Sequence, residues 1–130
     1  MKGFKGKIKK KITVKLVGDA EKAFNDLNRI VGEQRSNGVT SSKDITLLNA
    51  INRLFDVIIN NPFYGENAKK YLIPKEYRQK YDADNLFIAD LPDYWRMIYT
   101  LESDEIEIIA FVLDIIDHDD YNKKFGFKKR

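Results

Sequence analysis

The stretch "IEIIAFVLDII", from Ile106 to Ile116, constrains this chain more than any other. It is long, almost continuously apolar and rich in β-branched residues. Such a run predicts a central strand covered on one face by helices. Two further runs precede it, "NLFIADL" and "WRMIYTL", separated by the turn signals "PDY" and "ESDE". Together they predict a three-stranded antiparallel meander.

Upstream, Ile12, Val14 and Leu16 alternate with Thr13 and Lys15, the period of a half-buried strand. Asp19 is a candidate N-cap for a helix in which Ala20, Ala23, Phe24, Leu27, Ile30 and Val31 fall at helical spacing. After a polar loop, Ser41 or Ser42 can cap a second helix running to about Asn60, with Leu47, Leu48, Ile51, Leu54, Phe55 and Ile58 on one stripe. Two such helices form an antiparallel hairpin. The segment from Tyr64 to Asp84 reads as an insert, with a short extended piece at Lys70–Ile73 and a brief helix from Pro74 to Tyr81. Asp117 caps a last short helix that ends near Gly126. The expected fold is α+β, a helical hairpin on a curved, mainly antiparallel sheet, in the order β-α-α-β-β-β-α.

At 130 residues and 43% hydrophobic, the chain has the size and apolar content of one domain with one core. Sparse Gly and Pro argue against disorder or a fibrous protein. No apolar run is long enough to span a bilayer, and the lysine-studded start lacks the pattern of a signal peptide, so a cytoplasmic location and no membrane partner are expected. The absence of cysteine excludes disulfides, a thiolate nucleophile and thiolate zinc sites.

The net charge of +3 is unevenly spread. Residues 1–15 carry seven lysines and no acid, which suggests a basic N-terminal arm (1–11), and the tail from Lys123 to Arg130 carries five basic residues. Between Arg96 and Lys123 lie eight acids and no Lys or Arg. Basic ends suit a polyanion such as nucleic acid; they suit equally a small domain kept soluble, or an edge strand protected from aggregation.

A first strand, a helical hairpin and a meander containing "LPDYWRMIY" and "FVLDIIDHDDYNKKFG" resemble the RelE/ParE superfamily, the toxins of type II toxin–antitoxin systems. The resemblance covers most of the chain from about Lys11, its specific part being "YWRMIY" and the "DHDDY" corner. It implies a cognate antitoxin as partner, and one of two modes of action. In the first, the toxin enters the ribosome and cuts mRNA as a metal-independent endonuclease, with no cofactor. That chemistry requires a base for the ribose 2′-hydroxyl, cations for the phosphate and an acid for the leaving oxygen. In the second, a non-enzymatic or catalytically lost member binds an antitoxin or inhibits a macromolecule such as DNA gyrase.

Carried onto this sequence, the resemblance makes Arg96 the phosphate clamp, because a guanidinium grips two phosphate oxygens and keeps its charge. His118, the one histidine, falls where the family has a basic residue after the last strand, and histidine is the side chain suited to exchanging protons near neutrality. Tyr121 falls near the family's C-terminal tyrosine, and Lys123 and Lys124 would supply further cations. Tyr99 shares a strand face with Trp95 and Met97 and reads as core.

The chain departs from the family in "NLFIAD", which carries Asp90 and no lysine where ribosome-dependent members often carry lysines. The residues themselves also admit plainer readings. Asp117 caps a helix, Asp119 and Asp120 complement its dipole, and Tyr121 packs on Phe125. A metal site at "DHDD" is disfavoured, because consecutive side chains on a helix do not converge and there is no second histidine.

Overall fold

A computed structural model describes residues 10–126. It is an α+β structure with strands β1 (Lys11–Leu16), β2 (Glu66–Asn67), β3 (Phe87–Asp90), β4 (Arg96–Ser103) and β5 (Glu107–Ile116). The helices are α1 (Gly18–Ser36), α2 (Lys43–Asn60), α3 (Lys75–Tyr81) and α4 (His118–Phe125). The chain order is therefore β-α-α-β-α-β-β-β-α, and the extra strand and helix both come from the 64–84 insert. Of the expected basic arm, residues 1–9 lie outside the described residues, and Lys11 already belongs to β1.

The sheet is open and mixed, ordered β1-β5-β4-β3-β2. β1 lies parallel to β5, Lys11 opposite Glu107 and Leu16 opposite Val112, while the other pairs are antiparallel. β5 is thus internal, as its apolar run requires. It is buried on both faces rather than the one that was expected.

On the first face, α1 and α2 form an antiparallel hairpin: Phe24 meets Phe55 edge to face at 5.5 Å, and Gln34 bonds Asp44 at 2.8 Å. Leu27, Val31, Ile45, Leu48, Ile51 and Ile58 cover Met97, Tyr99, Val112 and Ile115. On the second face, Ile73, Tyr77, Ala83 and Leu86 of the insert region cover Ile98, Leu113 and Ile116, joined by Tyr121 and Phe125 of α4.

The two faces exchange phase at a bulge. Ile98 pairs with Asp114 and Tyr99 with Val112, so Leu113 faces no residue of its own on β4. Leu113 and Asp114 both serve the second face, and Ile115 returns to the first.

Local chemistry explains the element ends. Ser42 caps α2, its hydroxyl accepting from the Ile45 amide at 3.1 Å. Asp117 caps α4 by accepting from Asp120 N at 2.9 Å, and Gly126 closes that helix at φ 76°. Asp19 does not cap α1. Val17 holds that position without a side-chain bond, and Asp19 stands in the first turn, 3.7 Å from Lys80. Gly18 turns the chain at φ 50° directly against the Tyr81 hydroxyl, where a Cβ would collide. The expected extended piece at Lys70–Ile73 is a 3-10 turn over Lys70–Leu72, and only Ile73, held extended ahead of Pro74, fits that reading. Extended pairing falls at Glu66–Asn67 instead, where the chain reaches β3. No described helix is long and apolar enough to cross a membrane.

Candidate functional site

Arg96 opens β4, opposite Asp90 on β3 and Ile116 at the end of β5. This register places it at one end of the sheet, on the second face, where α4 begins. Its Nε lies 3.2 Å from Asp90 Oδ1, its guanidinium sits 5.1 Å from the centre of the Tyr121 ring, and Nη1 donates to the Trp95 carbonyl at 3.3 Å. The Arg96 side chain is 19% exposed and that of Asp90 86%. The arginine is therefore held on one side by an aromatic ring and on the other by a carboxylate that water reaches freely.

Tyr121 lies three residues into α4. Burial pushes its hydroxyl upward from the ordinary phenol range; the Arg96 charge opposes this, and Glu66 and Asp90 add to it. The phenol stays protonated near neutrality and can donate a hydrogen bond to an anion. Beside it runs a groove of about 180 Å³ between α4 and the β2 edge, with Glu66, Asn67 and Lys69 on one wall and Ile88, Tyr121 and Phe125 behind.

His118 is exposed on the first turn of α4. Its Nε2 lies 3.2 Å from the Asn122 amide nitrogen, and its ring centre lies 5.7 Å from that of Tyr94. Tyr94 belongs to the tight β3–β4 connection, closed by Leu91 N to Trp95 O at 2.9 Å and Trp95 N to Pro92 O at 3.3 Å. Asp93 and Tyr94 are both left-handed, at φ 59° and 63°. Non-glycine residues held there are strained, by about 1–3 kcal/mol each. In this turn the Tyr94 ring stands 71% exposed, against the histidine.

Of the residues singled out in the sequence, Arg96 and Tyr121 are in direct contact. His118 stands on the same helix as Tyr121 at three-residue spacing, its ring against Tyr94. Lys123 is exposed. Lys124 turns the other way: its ammonium lies 2.7 Å from Glu76 and 3.7 Å from Asp114, and 5.9 Å from the Tyr77 ring centre. Burial opposes its charge, but the Glu76 bond and the Asp114 charge outweigh this and hold the ammonium above the usual lysine range. Tyr99 is fully buried, donating to Pro62 O at 2.8 Å and accepting from Gly65 N at 2.9 Å. Trp95 packs against the hairpin core. Among the described residues, no three His, Asp or Glu side chains converge as metal ligands.

Three features escaped the sequence reading. The Asp90–Arg96 pairing could have been found by counting residues across the "LPDYW" hairpin. The outward Tyr94 ring lay hidden in a segment read only as a turn. The third is a buried polar centre, Asp114 with Tyr77 at 2.7 Å, and its signal was a lone aspartate inside the most apolar run of the chain. No family model, curated protein or solved structure matches this chain.

Proposed function

We propose that the chain is a RelE/ParE-fold toxin with a cognate antitoxin, acting on ribosome-bound mRNA at the corner formed by Arg96, Tyr121 and His118. The observation that carries this reading is the Arg96–Tyr121 contact at 5.1 Å, at the point where the last strand turns into the helix bearing His118. The order of a first strand, a helical hairpin and a meander supports it further.

In this reading the guanidinium takes two non-bridging oxygens of the scissile phosphate, displacing the exposed Asp90 carboxylate. His118 accepts the 2′-hydroxyl proton as the 2′-oxygen bonds to phosphorus, and returns that proton to the 5′-oxygen as the P–O5′ bond breaks. The products are a 2′,3′-cyclic phosphate and a 5′-hydroxyl. Tyr121 positions Arg96 from beneath. Lys123, exposed on the same helix, adds positive charge.

A second reading, a non-enzymatic member that acts by binding, is favoured by one observation: Arg96 and Lys124 are both already paired with carboxylates. Primer extension on a message translated in a reconstituted system separates the two. Cuts made by the wild type and lost in both Arg96→Ala and His118→Ala, with circular dichroism unchanged, are the expected result. No cuts at concentrations that occupy ribosomes would leave the binding mode.

A further inference from the structure

The rings of Tyr94 and His118 lie where the proposed RNA site meets solvent, and they belong to no core cluster. Three observations distinguish Tyr94 from an incidental surface aromatic. Its backbone and that of Asp93 are held left-handed, in a loop closed by two main-chain bonds, and the ring projects from that loop 71% exposed. It meets the single histidine of the chain ring to ring, 5.7 Å between centres and tilted by 53°, so the two rings form one joined aromatic surface. It stands two residues before Arg96, whose ladder partner Ile116 stands two residues before His118, so the aromatic surface and the guanidinium share one end of the sheet.

Charge decides which part of a ligand this aromatic surface would take. Asp93, Asp117, Asp119 and Asp120 flank the two rings in the chain, and such a field disfavours any phosphate beyond the one that Arg96 neutralises while leaving a neutral planar group unaffected. A nucleobase is such a group, and stacking on aromatic side chains tolerates any base. Arg96, two residues away, supplies the cation that the adjoining phosphate needs. The field therefore divides one nucleotide into two halves, its base towards Tyr94 and its phosphate towards Arg96.

We propose that Tyr94 and His118 form a stacking site for an unpaired nucleobase, adjoining the phosphate site at Arg96. This rests on the RNA-directed reading of the corner, but it does not require cutting.

The test is fluorescence anisotropy with a labelled, single-stranded 2′-O-methyl oligoribonucleotide, which lacks the attacking hydroxyl, and with an abasic chain of equal length and charge. The full-length wild type, Tyr94→Ala, Tyr94→Phe and His118→Ala are compared. The wild type should prefer the base-bearing chain; Tyr94→Ala should bind it about five- to tenfold more weakly, since one stacked base contributes at least that much. Affinity for the abasic chain should not change, and Tyr94→Phe, which keeps the ring, should retain wild-type binding. Equal affinity of the wild type for both chains, unchanged binding by Tyr94→Ala, or no binding of the oligonucleotide would each overturn the proposal. Because the probe cannot be cut, failure of cleavage on ribosomes and failure of base stacking are read separately.

Discussion

On the hairpin side of the sheet, Ile51 and Ile58 of α2 are fully buried against Met97, Tyr99 and Val112, and contact there is made almost wholly by hydrocarbon and rings. On the opposite side, Tyr77 reaches through an equally buried layer to donate to Asp114, and Lys124 closes over the pair with Glu76. The first arrangement is non-directional and gains stability with area alone. The second fixes the positions of α3 and α4 through directional bonds to a carboxylate on β5, and α4 is the helix that carries Tyr121 and His118. Both faces bury an apolar core, and the second adds the directional bonds that help set where α4, and with it the candidate site, lies.

The largest effect should come from the hairpin face. Ile51→Ala removes a fully buried side chain between α1, α2 and the sheet and should destabilise by about 2–5 kcal/mol, read from urea unfolding. A loss below that range would mean the hairpin collapses into the space and is less rigid than its packing suggests. Tyr77→Phe keeps the ring and removes only the hydroxyl, leaving Asp114 without its 2.7 Å donor, and should cost about 1–3 kcal/mol.

The same centre gives the second face a pH signature that the first cannot have. Burial pushes the Asp114 carboxyl above the ordinary range; the Tyr77 bond and the Lys124 charge oppose this, Asp19 and Glu76 add to it, and the net direction is upward. A carboxyl that keeps its proton to higher pH folded than unfolded adds stability on the acid side, and loses it as the pH climbs from the ordinary value, about 4, through the raised one. Lys124, also raised, loses its contribution only on the alkaline side, beyond the ordinary lysine range. The unfolding free energy of wild type minus that of Asp114→Asn should therefore grow as the pH falls from neutrality into the carboxylate range. A difference that stays flat or shrinks would show that Asp114 is ionised and fully satisfied throughout.

How much of this was legible in the sequence follows from the range of the forces involved. The strand expected over Ile106–Ile116 and found over Glu107–Ile116, the two hairpin helices, the cap at one of Ser41 and Ser42, the Asp117 cap and the short helix that Pro74 starts are local or periodic signals, and the structure has them close to where the sequence put them. The second core was not legible. It forms because residues of the insert and of the segment just after it, from Ile73 to Leu86, meet β4 and β5 across the chain, and no period of two or 3.6 encodes such a meeting. The parallel pairing of β1 with β5 is of the same kind. At the site, Arg96 and Tyr121 were visible as residue types, but the register across the hairpin that gives Arg96 its carboxylate, and the left-handed turn that presents Tyr94, are set by three-dimensional closure.

The smallest effect sharpens the comparison most. The Asp90–Arg96 pair has one well-exposed partner, and such pairs contribute at most about 1 kcal/mol, so Asp90→Asn should leave stability nearly unchanged. It should nevertheless release the guanidinium from its carboxylate and remove a negative charge from the corner, so binding of a single-stranded oligoribonucleotide should tighten a few-fold, most at low salt. Glu76→Gln is the matched control on the polar centre. It also uncouples a carboxylate from a cation, at 2.7 Å, but the Lys124 it releases is anchored by Asp114 and its charge remains inside the centre. That variant should lower stability and leave oligonucleotide binding unchanged. If both variants tighten binding alike, the gain comes from net charge and the corner at Arg96 has no special claim on phosphate; if only Asp90→Asn does, the carboxylate is a built-in competitor for the anion that Arg96 receives.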